Sequence, residues 1–154
     1  MSPFTLIAAR DVEGFELGID RTDVRAWPVF SADARLVGNV DAMYLDPMHT
    51  AIRYLGISLG SPGDSTGPLI GRVMVPVGSA RRHGLRRRLI LNHLTASQLA
   101  TAPRLRNRRV TRTEEQATLY SLGLALPGAP TNGSRYDSAL FEEAALFAGD
   151  RVPV

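Results

Sequence analysis

The chain has no cysteine and no lysine among its 154 residues, and aromatic residues make up only 6% of it. Without cysteine there can be no disulfide, thiolate metal site or cysteine nucleophile, and nothing calls for an oxidising compartment. A cytoplasmic location is therefore expected. Long apolar runs are also missing. The N-terminal stretch 4–9 is too short to span a bilayer and lacks the positive charge and cleavage pattern of a secretion signal, so no transmembrane segment is expected. The length suits one domain with appendages and can bury an ordinary core, which argues against a two-lobed enzyme.

All 18 basic residues are arginine, and their distribution says more than the net charge of +3. Residues 65–113 carry 11 arginines and no acid; residues 1–64 carry 5 arginines against 9 acids, and residues 114–154 carry 2 against 6. A middle segment of +11 between two flanks of −4 each can attract an acidic protein, phosphate or anionic lipid. The competing explanation is a solvated face whose charge is offset by flanks that fold back onto it.

Periodicity points to strands. Val73, Val75 and Val77 share one face of a period-2 pattern, with Pro76 marking an edge or bulge. Leu55, Ile57 and Leu59 share a face, with Ile52 and Tyr54 on the other, as in a strand covered on both sides. Gly38 inside a strand pattern marks a bulge or sharp bend. Asp46-Pro47-Met48-His49 reads as a turn, and 61–68 as an exposed loop. Residues 1–26 form a lead-in with a possible strand over 4–8.

Helical signals follow. Thr95-Ala96-Ser97-Gln98 is a capping box, with Leu94 and Leu99 placed as a hydrophobic staple and Pro103 ending the helix. A second start at Thr111-Arg112-Thr113-Glu114 opens a helix of two to three turns that Gly123 terminates. Residues 126–134 read as a linker. Beyond it, Asp137 or Ser138 caps an expected last helix whose Leu140, Phe141, Ala144, Ala145 and Phe147 form an apolar stripe, packed on its own domain or on a second copy as a homodimer.

Six blocks, taken in order, resemble the PRC-barrel family: Trp27-Pro28-Val29-Phe30, the run from Ala32 to Asp41, Leu45-Asp46-Pro47, Ile52-Arg53-Tyr54-Leu55, Val73-Met74-Val75-Pro76-Val77 and Leu94-Thr95-Ala96-Ser97-Gln98-Leu99. That family is named for the cytoplasmic module of the photosynthetic reaction centre H subunit and is shared with a ribosome maturation factor. The resemblance covers about half the chain. It implies a mainly β fold: a small, partly open, six-stranded antiparallel barrel over 27–91 within a domain 27–105, followed by a helical extension 106–154. It also implies a non-catalytic adaptor, since the relatives contact membrane-protein subunits in one case and a ribosomal protein in the other. The H subunit's membrane anchor has no counterpart here, which argues against a direct photosynthetic role.

Reactive chemistry is sparse. His49, His83 and His93, separated by 34 and 10 residues, match no zinc pattern, and no cysteine completes one. Asp41 and Asp46 point to opposite faces of a regular strand, so they make no acid/base pair. Ser65, His83 and Asp64 lack a nucleophile elbow, and no phosphate-binding glycine loop occurs. No catalytic residue, metal or cofactor is expected.

Recognition chemistry remains. Arg81, Arg82, Arg86 and Arg88 surround an expected hairpin turn at His83-Gly84-Leu85, with Arg86 and Arg88 on one face and Arg87 opposite. Arg104, Arg106, Arg108 and Arg109 lie between the two helices. Guanidinium forks suit carboxylate and phosphate, so both clusters are candidates for an anionic partner. The alternative to a protein adaptor is an RNA- or DNA-binding module using region 72–112. No aromatic lies between Tyr54 and Tyr120, so nucleic acid would be held by its backbone.

Overall fold

The computed structural model describes residues 4–9, 24–46, 51–60, 71–83, 87–106 and 109–124. The expected linker, the last helix with Leu140, Phe141, Ala144 and Phe147, the turn at Pro47–His49 and the loop 61–68 lie outside the described residues. Eight strands form one sheet: β1 (Phe4–Ala8), β2 (Pro28–Phe30), β3 (Leu36–Asp46), β4 (Ala51–Leu59), β5 (Gly71–Pro76), β6 (Ala80–Arg82), β7 (Leu89–Leu91) and β8 (Arg109–Thr111). Two short helices, α1 (Ala96–Thr101) and α2 (Arg112–Ser121), complete the described fold. Six strands follow one path, β5-β4-β3-β2-β7-β6, curled into an open half-barrel, while β1 pairs with the end of β3 and carries β8 on its far side. The sheet thus takes strands from both sides of the 27–105 segment.

The sheet is mixed, which corrects the expectation of a wholly antiparallel barrel. β2 and β7 run parallel, with Val29 opposite Leu89 and Phe30 opposite Ile90. The cause is the junction between β5 and β6. A 3-10 turn at Val77–Ser79 bends the chain without reversing it, held by Ser79 Oγ donating to Pro76 O at 2.6 Å. The strand leaving one edge of the sheet therefore reappears at the other edge pointing the same way, and the β6–β7 hairpin then sets β7 parallel to β2.

Both faces of the central strands are apolar. On the inner face Val40, Met43, Leu45, Ile52, Leu55, Ile57, Val73 and Val75 join the main core with Leu89, Leu91, Leu94 and Leu99. On the outer face Tyr44 and Tyr54, directly paired across β3 and β4, meet Leu6, Ala8, Met74, Leu105 and Val110. Each cross-strand pair of this kind contributes on the order of 0.2–1 kcal/mol beyond its burial.

Two bulges explain a departure from strict alternation. In β3 the register passes from Val40↔Ile57 to Ala42↔Gly56, leaving Asp41 as the extra residue. In β4 it passes from Tyr44↔Tyr54 to Leu45↔Ile52, leaving Arg53 as the extra residue. An inserted residue flips the parity of everything beyond it. Ile52 therefore turns inward with Leu55 instead of outward with Tyr54, correcting the alternation expected from spacing alone. Gly38 also lies at a register shift, between Val29↔Gly38 and Phe30↔Leu36. A Cβ there would fall 2.0 Å from Ser58 O, so the close approach of β3 to β4 requires glycine.

Both capping boxes form. Thr95 Oγ1 accepts from Gln98 N–H at 3.3 Å while Gln98 Oε1 accepts from Thr95 N–H at 2.8 Å. Thr111 Oγ1 and Glu114 repeat the exchange at 3.2 and 3.0 Å. Gly123, at φ +74°, ends α2: its N–H donates to Tyr120 O at 3.0 Å and Leu124 N–H reaches Leu119 O at 2.8 Å, a Schellman closure.

Candidate functional site

The arginine-rich hairpin exists. β6 and β7 are antiparallel, with Ala80↔Leu91, Arg81↔Ile90 and Arg82↔Leu89, and His83 N–H donates to Arg88 O at 3.1 Å. β7 begins only at Leu89, so Arg87 and Arg88 belong to the connection and not to the strand. Arg86 lies outside the described residues.

Within the hairpin the arginines differ in how they are held. Arg81 is exposed, and its Nε donates to Asn92 Oδ1 at 3.1 Å, which fixes the plane of the guanidinium while its two terminal nitrogens remain at the surface. Arg88 lies over the ring of Phe30, 5.3 Å from its centroid, in a cation–π contact between the hairpin and β2. Arg87 and His83 are exposed; Arg82 is half-buried. Asn92 and Phe30 are the residues that reading the chain overlooked. Asn92 was within reach of a register argument, because β6–β7 pairs keep a constant sum of residue numbers and place position 92 diagonal to Arg81. Phe30 was not, because only the parallel β2–β7 pairing brings it to the hairpin.

The second cluster divides. Arg104 turns back on α1, donating from Nη1 to Leu99 O at 3.2 Å and Ala102 O at 2.7 Å and from Nη2 to Ala100 O at 3.0 Å. It caps the helix end instead of facing outward with a belt. Its stem lies against Gly71, where a Cβ would meet Arg104 Cδ at 3.1 Å. Arg106 and Arg109 are exposed on the approach to β8, and Arg108 lies outside the described residues. Since β6 belongs to the β3-β2-β7-β6 path and β8 to the β3-β1-β8 branch, no strand pairing joins the two clusters.

Carboxylates in the described part have local partners. Asp41 pairs with Arg72, and Asp46 lies 3.6 Å from Arg53, so the two aspartates are held by different arginines. Asp33 accepts from the Ser31 hydroxyl and, at 3.2 Å, from Ala96 N–H at the start of α1. The Ser31 hydrogen bond above all holds the Asp33 carboxyl below its ordinary range, opposed by desolvation and helped by the Ala96 hydrogen bond. Glu114 closes the second capping box. Glu115 is buried in α2. Among the described residues no group of three or more His, Asp or Glu side chains is placed to hold a metal ion, and no helix is long and apolar enough to cross a membrane.

This arrangement can present oriented guanidinium groups to an anion. No family model matches the chain, and no curated protein matches it in sequence.

Proposed function

We propose that the protein is a non-catalytic, PRC-barrel-like adaptor of the cytoplasm that docks an acidic protein surface on the arginines of the β6–β7 hairpin. The observation that carries this reading is the placement of Arg81, Arg87 and Arg88 together on one hairpin, with no carboxylate paired to them among the described residues. Arg81 is already oriented by Asn92, so less conformational entropy is lost when its terminal nitrogens engage a carboxylate. The PRC-barrel resemblance supplies the kind of role, and the apolar filling of the curled sheet fits a scaffold that offers its rim.

The nucleic-acid alternative draws less support. Base recognition by single strands relies on open aromatic faces, and the ring beside the hairpin, Phe30, carries Arg88 on its face.

The test is a pair of titrations against salt, one with a fluorescein-labelled glutamate-rich peptide and one with generic RNA and DNA. Peptide binding that Arg81→Glu/Arg87→Glu weakens tenfold or more supports the adaptor. Binding of nucleic acid alone, falling by about one log unit per log of salt for each phosphate neutralised, replaces it with the alternative. Self-association is read separately by light scattering: equal masses for the wild-type chain and Phe141→Asp/Phe147→Asp remove the tail-mediated homodimer.

A further inference from the structure

Strands β2, β7 and β6 send Val29, Leu89, Leu91 and Ala80 into the main core, so alternation turns Phe30, Ile90 and Arg81 to the outer face of the sheet. The strand registers join these outward positions into one lateral row. Leu36 lies opposite Phe30, Phe30 opposite Ile90, and Ile90 opposite Arg81. Leu36, Phe30 and Ile90 are each only half-buried, and none of them belongs to the main core or to the outer cluster around Tyr44 and Tyr54. Three apolar side chains therefore stand side by side on a sheet face, without a place in either core.

Cations surround this row. Arg35 is exposed next to Leu36, Arg81 ends the row on β6, and Arg88 lies over the Phe30 ring, 5.3 Å from its centroid. Among the described residues no carboxylate pairs with any of the three. Asp41 pairs with Arg72, Asp46 lies against Arg53, and Asp33, in the same turn as Arg35, is held by Ser31 and Ala96.

We infer that this row receives one face of an acidic, amphipathic α-helix from another protein, whose apolar side chains meet Leu36 and Ile90 and whose carboxylates meet Arg88 and Arg81. The inference rests on the reading of the hairpin as a surface for an acidic partner, and names what else that partner carries. Spacing favours a helix. Leu36 and Ile90 are two strand spacings apart, about 10 Å, which is the rise of about seven helical residues, so side chains at i and i+7 meet both. A carboxylate at i+4 then falls near Arg88, and one a further turn along reaches Arg81. An extended segment repeats the same face about every 6.7 Å and matches this span poorly.

Charge selects a foreign partner over a second copy. Two copies of this face packed on each other would set arginines against arginines, whereas acidic residues flanking an apolar stripe complement both parts of the row. The apolar contacts supply most of the affinity, and the arginines fix the direction in which the helix lies.

The test uses the full chain and three fluorescein-labelled peptides. One is a helical peptide with Leu at i and i+7 and Glu at i+4 and i+11; the second has the same composition with its leucines on opposite faces; the third is the glutamate-rich peptide. The first is expected to bind roughly fivefold or more tighter than either of the others. Leu36→Thr/Ile90→Thr should remove that advantage and leave the glutamate-rich peptide unaffected, and Arg81→Glu should weaken both. Because the chain has no native cysteine, Ile90→Cys adds a readout that does not depend on the double variant folding well. Its thiol is expected to react with a maleimide in the free protein and to be protected by the first peptide. Equal binding of the first two peptides, or no protection, overturns the inference. If the glutamate-rich peptide still depends on Arg81 and Arg87, the adaptor reading stands without it; if no acidic peptide binds, both fall. A thiol unreactive in the free protein means that the chain itself covers the row, and a dimer in light scattering that Ile90→Thr dissolves means that a second copy does; either result overturns the foreign helix.

Discussion

Gln98 and Leu122 are joined by a single side-chain amide that works at both of its ends: Oε1 accepts from Thr95 N–H at the start of α1, and Nε2 donates to Leu122 O at the end of α2, 3.1 Å away. Ser121 Oγ adds a second tie to Thr101 O at 3.2 Å. Two short helices, each marginal alone in water, are thus held in one arrangement.

Substitution separates these contributions. Gln98→Glu retains the capping acceptor but loses the donor to Leu122, and should cost about 1 kcal/mol. Gln98→Ala loses both and should cost about 2 kcal/mol. Urea midpoints report the order; equal losses for the two variants would remove the capping half of the account.

Arg104 and Arg81 differ in kind. Arg104 binds three carbonyls at the end of α1, so Arg104→Ala should lower stability by about 1.5–3 kcal/mol while leaving binding of an acidic peptide unchanged. Arg81→Glu should do the opposite, weakening the peptide with a stability change within about 0.5 kcal/mol. Paired thermal melts and peptide titrations check both. A loss of binding in Arg104→Ala at full stability would return that arginine to the recognition surface.

Gly38 and Gly56 test how closely the strands approach. A Cβ at Gly38 meets backbone, Ser58 O, at 2.0 Å, whereas at Gly56 the nearest atom is the Tyr44 side chain, Cε2, at 2.9 Å. Gly38→Ala should therefore cost more than about 3 kcal/mol or prevent folding, and Gly56→Ala should cost roughly 1–3 kcal/mol as the tyrosine ring moves aside. Circular dichroism melts that rank the two in reverse would refute the close-approach argument.

Asp33 links acid stability to the β2–β3 turn. Its folded carboxyl titrates below the unfolded value, so the stabilisation is fully present above the unfolded pKa of roughly 3.9 and is lost as pH falls through the folded one. Between about pH 5 and 2, the unfolding free energy of the wild type should decline more steeply than that of Asp33→Asn. Parallel curves would show that the Ser31 and Ala96 contacts do not distinguish the charged carboxylate.

What could be read along the chain was what neighbouring residues settle among themselves. Thr95 with Gln98, Thr111 with Glu114 and Gly123 specify helix ends through bonds spanning three to five residues, and β1 at Phe4–Ala8 and the β6–β7 hairpin follow from alternation and turn composition. Arg104 was legible as a basic residue but not as a cap, because its three acceptors depend on how the chain turns after Pro103.

Direction and parity came from the assembled sheet. The Val77–Ser79 bend carries β6 to the far edge unreversed, which makes β7 parallel to β2 and brings Phe30 beneath Arg88. The extra residues Asp41 and Arg53 shift every side chain beyond them to the opposite face, a change that depends on the partner strand and leaves no trace in periodicity. Composition concentrated the arginines in one third of the chain and turn signals set Arg81, Arg87 and Arg88 about one hairpin; the folded topology laid Arg88 over Phe30, because side-chain contacts over long sequence separations exist only after the sheet has curled.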